Sequence, residues 1–512
     1  MEQNMGNRGV TRPMMHDPNG QPKGEPNGQM KGMGHQDQEH SMMHMDPKQR
    51  LDMLHKHHMQ TLWIYWLVVL LGFWVLLAPL TFDYGKNPVM PSGGRSVWLP
   101  LAERVQALRW SDIVSGILLI IFGYRSLTPN RPISVWICCF VGIWLSMAPL
   151  VLWSPSAAAY LNDTLVGVLV IGFTVLVPGM PNMILYMEMG PDTPPGWSYN
   201  PSSWPQRWIM IVAGFMGWVV SRYLAAFQLG YLDHPWDPFF GQSTVNVLNS
   251  AMSHSLPVSD AGLGSFAYTF EFLMGWMGSS ARWRTMPWMV TFFGILVIPL
   301  GLVHIFLVIS QPLVVGYWCS FCILAALIML PMIPLEVDEV IAMVQYMKQA
   351  TQKGGRFWTV FWKGGGVDEG EMDKRSPELV TFPDQQGAVF QASIWGMSFP
   401  WTLTVSMLLG IWLVFSPYVV GVPIQTAAAS LNHLCGALVV VVSVISMGEV
   451  LRIGRYLNVM LGVAIAGGIW FAGNAPIALS INDLVAGLLI VALAIPRGLI
   501  TEQYGSWDKY VK

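Results

Sequence analysis

Apolar segments of membrane-spanning length recur along this 512-residue chain, and no other feature limits its fold so strongly. Twelve are read, at 62–82, 110–127, 133–153, 164–186, 207–229, 264–281, 287–309, 314–335, 400–421, 427–446, 456–474 and 482–497. Composition agrees. Hydrophobic residues make up 53% and charged residues 11%, against about 25% charged in an average soluble domain. The expected fold is an all-α polytopic membrane protein of about twelve transmembrane helices, a central four-helix bundle between two four-helix repeat regions. A net charge of −2 argues against a basic nucleic-acid binder, and no nucleic-acid partner is expected. Five cysteines are too few for a disulfide-rich secreted scaffold. The first 60 residues are polar, with no short apolar stretch before a small-residue cleavage site, so no secretory signal is expected.

Charge placement sets an expected orientation. Arg125, Arg131, Arg207, Arg282, Arg284, Arg452, Arg455 and Arg497 fall at alternate segment ends, together with the cluster Lys348, Lys353, Arg356, Lys363, Lys374 and Arg375. Cytoplasmic loops are the ones that concentrate Lys and Arg. Both termini are therefore expected in the cytoplasm, with the chain an integral protein of a bacterial inner membrane. The loop 83–109 disagrees, holding Lys86, Arg95, Arg104 and Arg109 on the outer side. The expected domains are a disordered Met/His-rich cytoplasmic tail (1–60), repeat hairpins (61–186 and 393–498), the central bundle (200–350), a cytoplasmic linker (351–392) and a cytoplasmic tail (499–512). The charged stretch that opens at 336 is expected to start as a helix, Val337 to Lys353.

A repeat flanks the centre. Gly-x-Trp followed by Pro occurs at Gly72-Phe73-Trp74…Pro79, Gly142-Ile143-Trp144…Pro149, Gly410-Ile411-Trp412…Pro417 and Gly468-Ile469-Trp470…Pro476. Each copy is followed by a helix with an acid or amide four residues before a glycine: Asp112/Gly116, Asp163/Gly167, Asn432/Gly436 and Asp483/Gly487. These polar positions read as helix caps or, alternatively, as an ion or proton path. The glycines suit close helix packing in lipid. Over roughly 62–180 and 400–497 the hairpins resemble the SPW-repeat family of bacterial membrane proteins, a resemblance that implies architecture rather than chemistry.

The one chemically suggestive motif is Tyr317-Trp318-Cys319-Ser320-Phe321-Cys322, which opens the eighth segment at its outer end. There is no second Cys pair to complete a four-ligand zinc site. Positions i and i+3 share a helix face, and a helix N-terminus favours the reactive thiolate. The residues alone leave two readings open, a redox pair or two apolar core cysteines. From about Arg207 to Gln349 the order of parts resembles the vitamin K epoxide reductase family. Besides the C-x-x-C, the resemblance rests on the loop Asp237-Pro238-Phe239-Phe240-Gly241 through Val247-Leu248-Asn249-Ser250, on Pro257, and on Leu263-Gly264-Ser265-Phe266-Ala267-Tyr268. It implies a four-helix bundle in which Cys319 exchanges disulfides with a dithiol protein and Cys322, one turn deeper, passes electrons to a quinone, ubiquinone or menaquinone. Family members usually carry a further Cys pair in the loop. This chain has none; Thr244 stands where the second would be, and Ala326 holds a position that is often Tyr in animal members. The implied redox partner is thus a separate thioredoxin-like protein.

A quinone ring needs an apolar, aromatic pocket, which Trp318, Phe321, Tyr268, Phe270 and Trp276 can supply. Arg222 and Glu271 are charges within spans. Arg222 lies about 22 Å along its helix from Arg207 and Glu271 roughly 12 Å below the outer start of its own. Both are thereby placed in the outer half of the membrane, where they are expected to pair or face water, with a role in protonating the quinone as the sharper reading. Cys138, Cys139, Cys435 and His304 read as packing residues. The head holds seven of the eleven histidines and eleven of the 33 methionines. Met42, Met43, His44, Met45, His55, His57 and His58 offer thioether and imidazole ligands that suit copper. Three functions compete: a quinone-linked thiol–disulfide oxidoreductase, a non-catalytic scaffold or metal-handling protein that retains the bundle, and a hairpin-built solute transporter. The last lacks a midplane polar cluster.

Overall fold

The computed structural model describes residues 47–179, 190–367, 369–468 and 475–511. Among them every extended element is a helix. Four helices form two hairpins before the centre: α1 (Pro47–Phe82), α2 (Leu101–Arg125), α3 (Pro132–Val151) and α4 (Ala157–Leu176). The centre follows as α5 (Trp204–Gln228), the short α6 (Gln242–Leu248), α7 (Asp260–Trp276), α8 (Pro287–Val315) and α9 (Ser320–Gln352). An aromatic helix α10 (Phe357–Lys363) leads to the second pair of hairpins, α11 (Trp401–Val419), α12 (Ala427–Ile445), α13 (Leu457–Gly468) and α14 (Ile477–Ala494). Among the described residues eleven helices are long and apolar enough to cross a membrane, α13 being counted with the turn before it as Glu449–Gly468. The twelfth expected span is α7, with 17 residues.

Each hairpin is closed by glycine against glycine. A Cβ added at Gly116, Gly167, Gly436 or Gly487 would stand 2.5–2.8 Å from the backbone oxygen of Gly72, Gly142, Gly410 or Gly462 respectively. Only hydrogen fits there, so the backbones approach closely, which is how helices associate where lipid removes the hydrophobic drive. The fourth unit departs from the motif. Its crossing glycine is Gly462, six residues before the Gly468 of Gly-x-Trp, and Trp470 lies outside the described residues. The motif prolines have a clear role. Pro149 and Pro417 lie in the last turns of α3 and α11, and their carbonyls accept from Ser154 and Val422 at 2.8 Å, turning the chain out of the helix.

The acid and amide positions are not caps. Ser156 and Thr426 cap α4 and α12 by accepting from Ala159 and Ala429 amides, while Asp112, Asp163, Asn432 and Asp483 lie buried inside their helices. The head is also shorter than expected. Helix α1 begins at Pro47, so His55, His57 and His58 ride on a helix rather than in a disordered tail.

Within the bundle, α9 has 33 residues and runs unbroken from the cysteines through the acidic stretch 336–339. At that far end Arg282 pairs with Glu339 at 2.5 Å, both almost fully buried, and Tyr199 donates to Asp338 at 2.6 Å. Alongside, Glu449 accepts from the Thr501 and Glu502 amides and from the Tyr504 hydroxyl, and Arg375 binds Glu502 at 2.6 Å. Gln345 of α9 donates to the Tyr504 carbonyl at 3.0 Å, so that the bundle, the second repeat region and the C-terminal segment join in one polar layer.

Candidate functional site at the start of α9

The chain enters α9 through a sharp turn. Gly316 has a left-handed φ of 78°, which closes the end of α8. Cys319 is extended and occupies the cap position of α9, where its Sγ accepts the Cys322 amide at 3.2 Å. The sulfur thus sits at the positive end of a helix, which favours a thiolate when the pair is reduced. Cys319 and Cys322 are disulfide-bonded with a Cα–Cα distance of 5.3 Å, inside the ordinary range.

Asp237 is the residue that holds this turn, a role that its place at the start of the resembling loop did not reveal. Its Oδ1 accepts from the Ser320 hydroxyl at 2.5 Å and from the Phe240 amide at 2.7 Å and Phe239 amide at 2.9 Å. Its Oδ2 accepts from the Ser320 amide at 3.1 Å and from the Thr244 hydroxyl. Partial burial pushes this carboxyl upward, but the bonds from Ser320, Thr244, Phe240 and Phe239 prevail and hold it well below the usual carboxylate range. Thr244, in the place of a loop cysteine, is therefore part of the clamp. A second clamp comes from the first hairpin's loop. Arg95 donates to the Leu248 and Ser253 carbonyls at 2.9 and 3.0 Å, fixing the end of α6.

Under these clamps Cys319 is fully buried with Leu224, Phe227, Val247 and Leu248, whereas Cys322 is half-buried. This reverses the exposure order expected from the sequence: the loop covers the outer sulfur and leaves the inner one partly open. Phe321 lies edge-on to Tyr223 at 5.1 Å and beside Trp236 at 6.3 Å. Trp318 stacks on Phe240 and faces His433 of α12. Tyr268 is buried deeper, its hydroxyl 3.3 Å from the Ala325 carbonyl and 3.5 Å from His304 Nδ1. Phe270 lies edge-on to Phe266, which packs against the cluster of Leu150, Trp153, Tyr160 and Leu229.

Two expectations need correction. Trp276 ends α7 at the opposite end of the bundle. It lies 6.1 Å from Trp204 and lines a cavity of about 560 Å³ with His57, His58, Tyr65 and Arg131. Arg222 and Glu271 do not pair. Helix α7 starts at Asp260, so Glu271 lies about 16 Å below that start and in the far half of the span. Arg222, about 9 Å from the end of α5, donates instead to Thr164 at 2.7 Å and lies over the Tyr160 and Trp218 rings. Glu271 is buried with Oε2 unpartnered.

Cys138, Cys139 and Cys435 are free and buried, as packing residues are. His57 and His58 bond the Pro178 and Leu127 carbonyls at 2.6 and 3.1 Å. Among the described residues no three His, Cys, Asp or Glu side chains are grouped to hold a metal. Met42, Met43, His44 and Met45 lie outside the described residues.

Comparison with known families places these parts. Residues 208–337 match the vitamin K epoxide reductase family, and residues 62–177 and 400–496 match the SPW repeat domain. The chain matches no curated protein and no solved structure. The first match points in general to a membrane oxidoreductase acting between disulfides and quinones.

Proposed function

We propose that this integral membrane protein, with its vitamin K epoxide reductase family domain set between SPW repeats, is a thiol–disulfide oxidoreductase that oxidises a partner dithiol and delivers the electrons to a quinone. The observation that carries this reading is the Cys319–Cys322 disulfide capping α9 within the matched domain. In the forward reaction a partner thiolate attacks Cys319 Sγ and Cys322 leaves as the thiolate. The partner's second thiol then resolves the mixed disulfide, leaving two reduced cysteines here and a disulfide on the partner. A quinone supplies the oxidant, taking up two electrons and two protons as the disulfide re-forms.

The residues present suit that oxidant. Cys322 lies one turn inside an apolar span and is partly open, where a lipid-dissolved ring can reach it. Phe321, Tyr223 and Trp236 give aromatic faces beside it. Cys319 lies behind the loop, so the partner meets it when the Asp237 clamp lifts. Because the chain has no loop pair, the partner is a separate, thioredoxin-like dithiol protein. The orientation follows from the Lys and Arg bias: both termini cytoplasmic in a bacterial inner membrane, with the cysteines on the oxidising side. Thr244 in place of a loop cysteine favours a second reading, a scaffold that retains the bundle without turnover.

The test is trapping. A Cys322→Ser chain should accumulate a mixed disulfide through Cys319 with a dithiol partner, and Cys319→Ser should not. Loss of quinone reduction in both variants belongs to the oxidoreductase. Unchanged thiol oxidation in cells together with no trapped species would leave the scaffold reading standing.

A further inference from the structure

The two repeat regions contain the same polar relay, bond for bond, up to one position. In the second region the Trp412 indole donates to Asn482 Oδ1 at 2.7 Å, and the Asn482 amide donates to Asp483 Oδ1 at 3.0 Å. The Asn432 amide then donates to Asp483 Oδ2 at 3.0 Å and completes the relay. In the first region the Trp74 indole donates to Asn162 Oδ1 at 2.7 Å, and the Asn162 amide to Asp163 Oδ1 at 3.0 Å. There the chain of bonds stops. Asp163 Oδ2 is buried without a hydrogen-bond partner.

The reason is one side chain. Asn432 lies four residues before Gly436, the crossing glycine of its hairpin, and Asp112 holds the same place before Gly116. An acceptor stands where the other half has an amide donor. Asp112 Oδ2 takes the Tyr84 hydroxyl, while its Oδ1 is buried and unpartnered, as Asp163 Oδ2 is. Both side chains are almost fully buried within membrane-spanning helices, and the two carboxyls interact electrostatically. Among the described residues no cation pairs with them: Arg109 pairs with Asp83, Arg222 donates to Thr164 and Arg104 donates to the Trp153 carbonyl. The other titratable neighbours are the tyrosines Tyr84, Tyr160 and Tyr231.

Two buried acceptors that interact, each carrying a full charge in a dry interior, are strongly unfavourable, and such like charges do not both ionise. One proton removes a charge and creates the missing donor. A carboxyl O–H from one Asp to the other occupies the place of the Asn432 N–H. We propose that Asp112 and Asp163 hold a single proton between them, which makes the first pair of hairpins a proton-binding site within the membrane span. The second pair, completed by Asn432, has none.

The experiment uses the full chain in lipid nanodiscs and reads the carbonyl stretch of protonated carboxylic acids by infrared difference spectroscopy. Asp112→Asn rebuilds the relay of the second region. It should remove one carboxyl's intensity from that band with no fall in melting temperature. Asn432→Asp should add one carboxyl's intensity. Other buried acids, such as Glu271 and Glu336, are common to each pair of spectra and cancel. Wild-type intensity in Asp112→Asn overturns the proposal. If that variant does not fold, Asn432→Asp decides alone: a gained band supports the shared proton and no gain overturns it. A sodium-dependent rise in wild-type melting temperature that Asp112→Asn abolishes would assign the pair to a metal cation and also overturns it.

Discussion

At the scale of single residues, the disulfide pair was legible and the residue that clamps its turn was not. Cys319 and Cys322 announce themselves by spacing, because i and i+3 meet on any helix. Asp237 acts on Ser320, 83 positions away, and no local pattern records that distance. Exposure was misread for the same reason: depth along α9 suggested that Cys319 is the open sulfur, and a loop from elsewhere covers it. Asp237→Ala should therefore speed reduction of the disulfide by a soluble thiol, on the order of tenfold, read as the rate of thiol release. The clamp bonds favour the ionised carboxyl, and its folded value lies below the unfolded one. Their contribution is complete above the ordinary Asp value of about 4 and is lost only as pH falls through the depressed value. The reduction rate, corrected for the thiolate fraction of the reductant, should stay flat from about pH 7 to about pH 5. A rise within that window would mean that Asp237 is not the latch. Gly217 is a second residue-scale case. A Cβ there would overlap the Tyr268 ring, so Gly217→Ala should destabilise the bundle by about 1–3 kcal/mol in a reversible unfolding assay.

At the scale of elements, apolar length found each span, because nothing else satisfies a helix in lipid. Ends were harder. The sequence started the first span at 62, and α1 continues back to Pro47, since polar residues extend a helix as readily as apolar ones once it leaves the membrane. Crossing points were legible in three hairpins and displaced in the fourth, where Gly462 and Gly468 are both available and packing alone selects the first. Gly436→Ala should therefore weaken α11–α12 packing by about 1–3 kcal/mol. Gly172→Ala, with nothing within 4 Å of an added Cβ, should be neutral or stabilise by up to about 1 kcal/mol. Equal losses at the two sites would contradict packing as the cause. The loop 83–109 broke the charge rule for a visible reason. Arg95 and Arg104 are buried against carbonyls and Arg109 pairs with Asp83, so these cations are structural ties.

At the scale of the whole molecule, the architecture of bundle and flanking hairpins was readable, whereas the polar layer joining them was not. Residues 336–339 looked like the start of a solvated linker, because four charged or apolar letters in a row carry no sign of burial. In the fold their partners arrive from positions 199, 202 and 282. Glu339→Gln should cost about 3–5 kcal/mol by leaving Arg282 buried without its anion, and pairing it with Arg282→Met should recover most of the loss. A double variant as unstable as the sum of the two would show that the pair is not the coupled unit. Helix α9 has one more consequence, for imaging. Its 33 residues measure about 50 Å along the axis, against a hydrocarbon slab of about 30 Å. About 20 Å of the helix therefore extends past that slab on the side away from the cysteines, where it is buried among Trp197, Tyr199, Arg282 and Tyr504. Particles in a nanodisc should show this packed layer as density on one face, giving electron micrographs a fiducial that separates up from down.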